Sequence, residues 1–332
     1  MESLYKNKRV LITGGSGSLG KALISRILEE TEGEVSLTIY SRDEAKQAVI
    51  RSSYPTANIN YIIGNVRDRE YISYCCRGMD IIIHAAALKR VDDGELNVSE
   101  FMKTNVLGSD NVIYAARICN VPQVLLVSTD KSCLPINAYG ASKMLAEKLF
   151  VDADSKTIKG ADSIFTIVRY GNIIASRGSV IPMFVDWAEA NKPIKLTHSD
   201  MTRFFMTLDD ACTLIETALT HAKGGEITVA KMASVHMVEM AKAIITKLES
   251  KSTIEVIGIR PGEKIHESLI SDSAFVSIYD TGEYYIVGSH TNPKEYDYPL
   301  ADIKHYTSCN FIEHDPNWII KKIQEGGIDL CK

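Results

Sequence analysis

Apolar positions in the first half of the chain fall into short unbroken runs separated by stretches of helical spacing. Lys8 to Thr13 (KRVLIT) is a short apolar run before glycines and predicts a buried strand. Ser18 to Leu28 then carries Leu19, Leu23 and Ile27 at helical intervals. Strands are predicted at Val35 to Tyr40, Asn60 to Ile63, Asp80 to Ala85, Gln123 to Ser128 and Ser163 to Arg169. Helices are predicted at Asp43 to Arg51, Asp68 to Arg77, Asn97 to Cys119 and Ala138 to Phe150. Asp80 to Ala85 (DIIIHA) has no polar alternation, so both of its faces should be covered. Strand–helix alternation of this kind calls for a parallel sheet with helices on both faces, an α/β doubly wound fold of Rossmann type.

The texture changes after Tyr170. Elements shorten, and turn signals appear at Arg177-Gly178, Asn191-Lys192-Pro193, Lys223-Gly224-Gly225 and Pro261-Gly262. The reading is a dinucleotide-binding domain over residues 1–172 and a smaller lobe over 173–332, with some segments returning to the main sheet. No Pro/Gly/Ser-rich linker marks the boundary.

Composition narrows the class. The chain has 332 residues, 45% hydrophobic and 24% charged, with a formal net charge of -5. That is ordinary globular composition and argues against a nucleic-acid partner, which a basic surface would favour. The seven cysteines (Cys75, Cys76, Cys119, Cys133, Cys212, Cys309 and Cys331) form no CxxC pair, so no metal site is expected. Met1 to Val10 lacks the apolar core of a signal peptide, and Ile81 to Leu88 is too short to span a bilayer. The expectation is a soluble cytoplasmic protein without a membrane partner.

Candidate chemistry begins at Gly14-Gly15-Ser16-Gly17-Ser18-Leu19-Gly20, between the first strand and the first helix. Gly14 permits a tight turn, Gly17 lets backbone approach a pyrophosphate, and Gly20 lets helix and strand pack closely. The helix N-terminus would face the anion. After the second strand stand Ser41 and Arg42, then Lys46, where many dinucleotide folds place an acid for a ribose hydroxyl. A hydroxyl and a guanidinium suit a 2′-phosphate, which favours NADP over NAD. Asn65 and Val66 would lie beside the adenine, Ala85, Ala86 and Ala87 along the cofactor, and Lys89 near its ribose or phosphate. His84 reads as a packed histidine.

The richest stretch is Ser128-Thr129-Asp130-Lys131 followed by Tyr139-Gly140-Ala141-Ser142-Lys143. Tyr139 and Lys143 are four apart and share a helix face. A lysine beside a tyrosine favours the phenolate and lowers the phenol pKa from about 10. Such a pair can take a hydroxyl proton while hydride leaves the same carbon. Asp130 and Lys131 add an acid and a base that oxidation does not need. Both can serve one site only if the fifth strand ends before them, since strand neighbours point to opposite faces.

The glycine turn with Tyr139-xxx-Lys143 resembles the extended short-chain dehydrogenase/reductase superfamily. Closer motifs are Ser128 to Lys131, Tyr139 to Lys143, Arg169-Tyr170-Gly171-Asn172, Ser176 to Pro182 (SRGSVIP), Met201-Thr202-Arg203-Phe204 and Arg260 to Glu267 (RPGEKIHE). In that order they resemble the UDP-N-acetylglucosamine 4,6-dehydratases, most of all the soluble 5-inverting enzymes of pseudaminic acid synthesis. The resemblance implies that Tyr139, tuned by Lys143 and aided by Thr129, takes the C4 hydroxyl proton as hydride passes to NADP. It implies Lys131 as base at C5 and Asp130 as acid for the C6 hydroxyl, with hydride returning at C6. It also implies Asn105 near the cofactor, and a nucleotide-sugar set of Lys89, Asn172, Arg177, Val180, Thr197, Arg203, Arg260 and Glu263. The arginines would take the diphosphate, Asn172 the diphosphate or sugar, and Glu263 the uridine ribose. A homo-oligomer is implied as well.

The chain departs from that pattern at Asp92 and Val98, where prolines are usual, at Asn65 for an aspartate and at Phe205 for a tryptophan. A UDP-sugar 4-epimerase on the same fold is the rival reading, because it needs Tyr139 and Lys143 but no elimination pair. A cofactor-binding regulator without catalysis is disfavoured by the presence of both.

Overall fold

The computed structural model describes residues 3–155, 163–174, 176, 178–272, 277–289 and 291–330. Six strands follow the predicted order: β1 (Arg9–Thr13), β2 (Ser36–Ser41), β3 (Ile59–Ile63), β4 (Ile81–His84), β5 (Gln123–Val127) and β6 (Ile164–Arg169). Two short strands, β7 (Asn172–Ile173) and β8 (Ile194–Leu196), and the longer β9 (Thr202–Met206) come next. The remainder are β10 (Ile227–Ala230), β11 (Ser234–His236), β12 (Ile254–Val256), β13 (Ser268–Ile270), β14 (Ile278–Asp280), β15 (Tyr284–Val287) and β16 (Tyr306–Thr307).

The main sheet runs β14-β15-β10-β6-β5-β4-β1-β2-β3. Pairing is parallel from β3 through β10 and antiparallel for β10/β15 and β14/β15. This is a mixed α/β fold with a large, mostly parallel central sheet of Rossmann type. Strand order reverses between β1 and β4, and the crevice of such sheets opens beyond the carboxyl ends at that point. Late in the chain, strands β10, β14 and β15 join the sheet, and helix Leu208–His221 packs on it.

Burial follows the two-residue period of a strand covered on both faces. Val10, Ile12, Leu37, Ile39, Ile81 and Ile83 enter one core with Leu23, Ile24 and Ile27 of helix Ser18–Glu30. Their neighbours Leu11, Tyr40 and Ile82 enter the opposite core with Val112, Ala116 and Phe150. A third core, from Ile174 and Phe184 to Ile323 and Leu330, holds the smaller lobe. There β7, β9 and β11 form one sheet, and β8/β12 and β13/β16 form pairs.

One predicted helix is not continuous. Asn97 to Cys119 is divided into Val98–Phe101, a π-helical turn Met102–Leu107 and Gly108–Ile118. The cause is Asn105, which is 1% exposed. Its amide accepts from Leu88 N–H at 2.8 Å and donates to Leu88 C=O at 2.9 Å and to Ser142 Oγ at 2.9 Å. An extra residue in the helical turn is how a backbone accommodates such a fixed side chain. A further helix, Val91–Leu96, forms despite Gly94 and two aspartates, and Glu95 of that helix accepts from Ala138 N–H at 2.7 Å.

The glycine turn depends on close backbone approach. Gly14 has φ +71, and a Cβ there would lie 2.9 Å from the Ala86 backbone. At Gly20 a Cβ would lie 2.3 Å from the Gly15 carbonyl oxygen, so turn and helix touch with no room for a methyl group. Gly20→Ala is therefore expected to lower stability by about 1–3 kcal/mol through overpacking, measured by urea unfolding. An unchanged midpoint would refute this account of the turn.

Candidate active site

Helix Ser18–Glu30 begins at Gly17, whose conformation is extended and whose helix lacks a side-chain cap. Its first N–H groups therefore point past an exposed glycine toward the crevice. Ser16 is buried, and Leu19 packs toward the core. The facing wall is Ala85, Ala86 and Ala87 after β4. Ala85 N–H donates to Thr13 C=O at 3.1 Å, and Ala86 N–H to Thr13 Oγ1 at 3.3 Å. These residues suit a pyrophosphate: a helix start with no side-chain cap, and a gap that Gly14 keeps narrow.

His84 is a packed histidine, 1% exposed, with Nδ1 2.7 Å from Thr13 Oγ1 and Nε2 3.1 Å from Ser109 Oγ. Burial lowers its pKa to about 3, so it stays neutral. Val66 is buried, its carbonyl held by Asn111 Nδ2 at 2.9 Å. The Asn65 side chain closes its own turn, accepting from Arg67 N–H at 3.1 Å. Ser41 Oγ accepts from Gln47 at 2.9 Å and keeps its proton to donate. Arg42 is exposed at the end of β2. Lys46 is ion-paired to Asp43, the N-cap of its own helix, which draws it away from any 2′-phosphate. Lys89 stands at the surface, and partial desolvation lowers its pKa.

The fifth strand ends at Val127, and Asp130–Ser132 form a 3-10 turn. Both members of the acid–base pair thus leave strand alternation and face one another. Lys131 Nζ donates to Asp130 Oδ1 at 2.9 Å and to Asn172 Oδ1 at 3.3 Å. Thr129 Oγ1 donates to the same Asp130 oxygen at 2.9 Å. Asp130 is 0% exposed, and its Oδ2 has no hydrogen-bond partner among the described residues.

Helix Ala138–Ser155 presents Tyr139, Lys143 and Glu147 at four-residue intervals, and all three are buried. Gly140 decides how near the turn can come: a Cβ there would lie 2.2 Å from the Lys131 carbonyl oxygen. Burial pushes the Tyr139 phenol up, while Lys131 and a hydrogen bond with Thr129 pull it down and the Asp130 and Glu267 carboxylates raise it. The net shift is upward, contrary to the sequence expectation of a lowered pKa. Lys131 is the cation that lowers the phenol most, and the Lys143 ammonium donates to Val127 C=O at 2.7 Å. Burial, partly offset by Glu147, lowers the pKa of Lys143 to about 8.

Sequence spacing alone does not single out Glu147, although it follows Lys143 by the same four residues. It accepts from Ser128 Oγ and Ser132 Oγ at 2.6 Å each, and from Arg169 Nε at 3.1 Å and Nη2 at 2.6 Å. Arg169 Nη1 also donates to Leu269 C=O at 2.7 Å. Burial alone would raise the Glu147 pKa, but Arg169 and the serine hydroxyls hold it below the usual value. Glu267, the last residue of the RPGEKIHE motif, is 2% exposed and lies 3.5 Å from both Lys131 Nζ and Lys264 Nζ.

The expected nucleotide-sugar set is only partly assembled around this centre. Asn172 meets Lys131 directly. Arg203 donates from Nη1 to Thr202 C=O (2.7 Å) and Ile265 C=O (2.9 Å), and from Nη2 to Lys264 C=O (2.8 Å), so it fastens the 264–265 backbone to β9. Glu263 accepts from Arg260 N–H at 3.3 Å and lies 3.7 Å from Arg203. Arg260 is exposed, 3.5 Å from Asp92, one of the positions that departs from the family pattern. Thr197 is buried, with its hydroxyl 3.4 Å from Met201 Sδ, and Val180 opens helix Val180–Glu189. Arg177 lies outside the described residues.

A family model described as "Polysaccharide biosynthesis protein" matches residues 10–289. A UDP-glucose 4-epimerase of Rickettsia bellii (strain RML369-C) is 39% identical over 316 residues, 92% of this chain and 92% of that protein. A UDP-N-acetylglucosamine 4,6-dehydratase (inverting) of Campylobacter jejuni (serotype O:23/36, strain 81-176) is 40% identical over 286 residues, 86% of this chain and 84% of that protein. The X-ray structure of Pen from Bacillus thuringiensis superposes with a TM-score of 0.91 at 32% identity, covering 98% of this chain and 99% of that one.

Glu147→Ala would leave Arg169 buried without its carboxylate and free both serines. A loss of roughly 3–5 kcal/mol is expected, as for other broken buried pairs, read by chemical denaturation. A loss under about 1 kcal/mol would show that the pair carries no such weight.

Proposed function

The chain belongs to the polysaccharide biosynthesis protein family, within the extended short-chain dehydrogenases/reductases, and from that premise we propose that it catalyses the 4,6-dehydration of UDP-N-acetylglucosamine with inversion at C5. The product would be a UDP-2-acetamido-2,6-dideoxy-hexos-4-ulose for surface-glycan sugar synthesis, pseudaminic acid among the candidates. The observation that carries this reading is the hydrogen-bonded Asp130–Lys131 pair beside Tyr139. Oxidation at C4 needs one proton acceptor. Elimination across C5 and C6 needs a base and an acid besides.

In this reading Tyr139 takes the C4 hydroxyl proton once its raised phenol has ionised, with Thr129 orienting it. Lys131 takes the proton at C5, made acidic by the C4 ketone, and Asp130 protonates the departing C6 hydroxyl. Bound along the glycine turn, a nicotinamide would supply the hydride acceptor for C4 and the donor for C6, leaving no net redox change. Lys143 and the wall at Ala85 to Ala87 would hold it, and Asn105 keeps that wall in register. NADP is the preferred form because Ser41 and exposed Arg42 suit a 2′-phosphate, although Lys46 is committed to Asp43. We read the protein as cytoplasmic and homo-oligomeric. No described helix is long and apolar enough to cross a membrane. Tyr114 and Ile118 stand exposed on helix Gly108–Ile118, which favours a partner copy.

The second reading, a UDP-sugar 4-epimerase, is favoured by relatives of that name at similar identity. Incubation with UDP-N-acetylglucosamine in deuterated water separates the two. Loss of one water by mass spectrometry, with deuterium at C5 by NMR, is the expected result; an isomer of unchanged skeleton would make the enzyme an epimerase. Lys131→Ala should reduce dehydration by about 10²–10⁴-fold while oxidation at C4 persists. Full activity in that variant would remove Lys131 from the mechanism.

Arg42→Ala should weaken NADP relative to NAD by about tenfold or more, the worth of one charge-assisted hydrogen bond. Fluorescence titration with both cofactors reads the ratio. If it does not move, the 2′-phosphate assignment falls.

A further inference from the structure

An elimination pair must hold its proton on the acid and its lone pair on the base. The resting arrangement is the reverse. Lys131 Nζ is enclosed by Asp130 Oδ1 at 2.9 Å, Glu267 Oε1 at 3.5 Å and Asn172 Oδ1 at 3.3 Å. These groups come from three separate parts of the chain: the 3-10 turn, the segment before β13, and β7. Tyr139 and Arg203 also face it, the first across the site and the second from β9. Burial alone would lower the Lys131 pKa, but the two carboxylates outweigh burial and Arg203 and raise it. The ammonium is therefore the resting form.

The working form differs by one proton. Breaking an N–H bond on Lys131 and forming an O–H bond on Asp130 Oδ1 turns the ion pair into a neutral amine and a neutral acid. No proton enters or leaves the site. Asp130 suits this exchange, because it is fully buried and its Oδ2 accepts no hydrogen bond among the described residues. Glu267 opposes it. Its carboxylate lies 3.5 Å from Nζ whichever partner holds the proton, so it favours the ammonium. Lys264, 3.5 Å from the other Glu267 oxygen and anchored to Cys133 C=O at 2.7 Å, moderates that pull.

We propose that Glu267 is a positioning residue acting through Lys131: its carboxylate sets the ratio of ion pair to neutral pair at Asp130–Lys131, and so the fraction of enzyme ready to take a proton from C5. The inference rests on the proposed dehydratase reading for its consequence but not for its test. A shift toward the ion pair starves the elimination directly, whereas oxidation and reduction at C4 feel it only through the Tyr139 phenol. Glu267 thus biases the outcome between return of the sugar at C4 and loss of water.

The test is competitive acetylation of Lys131 with acetic anhydride across pH, quantified by mass spectrometry on the cofactor-loaded protein without sugar. Only the neutral amine reacts. Glu267→Gln should move the Lys131 labelling curve to lower pH. On its rising limb, labelling at a fixed pH should grow about tenfold if the curve moves by about one pH unit. The pH optimum of dehydration should move the same way, which a merely structural role would not produce. Coincident labelling curves in wild type and Glu267→Gln overturn the proposal. Should Glu267→Gln fail to fold, Lys264→Met reads the same interaction with opposite sign: the curve should move to higher pH, and no movement or the reverse overturns it. If UDP-N-acetylglucosamine is never dehydrated, the functional reading fails while the labelling curves still decide the role of Glu267.

Discussion

The site hangs on a carboxylate assigned no chemical step. Glu147 sits in the interior and gathers Ser128, Ser132 and the Arg169 guanidinium around its two oxygens. Those bonds fix where β5 ends, where the 3-10 turn begins and how that turn lies against helix Ala138–Ser155. Ionic groups at such depth are costly to bury and are kept only with their hydrogen bonds complete. Here the guanidinium spans both oxygens of the carboxylate edge and two hydroxyls donate to Oε1, so each oxygen is bonded. Lys131 and Asp130 inherit their positions from it.

Above that anchor lies a layer of charges that is balanced and movable. Asp130, Lys131, Glu267 and Lys264 sum to zero in formal charge, and passage of a proton from Lys131 to Asp130 would leave that sum unchanged. The phenol of Tyr139 feels the same layer, being lowered by Lys131 and raised by both carboxylates. Oxidation at C4 and proton removal at C5 therefore draw on one electrostatic environment. A change at Glu267 or Lys131 reaches both.

Much of this was legible in the sequence where the determinant is local. A strand, a glycine turn and a helix are contiguous, so Gly14, Gly17 and Gly20 announced the crevice by spacing alone. Tyr139 and Lys143 share a helix face by arithmetic, and apolar runs gave the parallel sheet. Most of what escaped depends on partners distant in the chain. The break near Asn105 is set by Leu88 and Ser142. Lys46 looked available for a phosphate, yet its neighbour Asp43 claims it. Arg203, expected at the diphosphate, ties the 264–265 backbone to β9. The phenol was expected to be lowered, and its net shift is upward, with the Lys143 ammonium on the Val127 carbonyl. Glu267 is three residues from Lys264 but joins Lys131 only through folding.

The missing side chain of Gly140 has a consequence for how such proteins diversify. The turn bearing Asp130 and Lys131 and the helix bearing Tyr139 and Lys143 meet backbone to backbone, with a hydrogen atom as the spacer. No rotamer intervenes, so a change of side chain on either element leaves their separation untouched. Residues hung on either side, and a chemical step with them, could be exchanged without resetting the alignment. A shared chassis of that kind can serve both isomerising and dehydrating descendants, and relatives bearing either name stand at near-equal similarity to this chain.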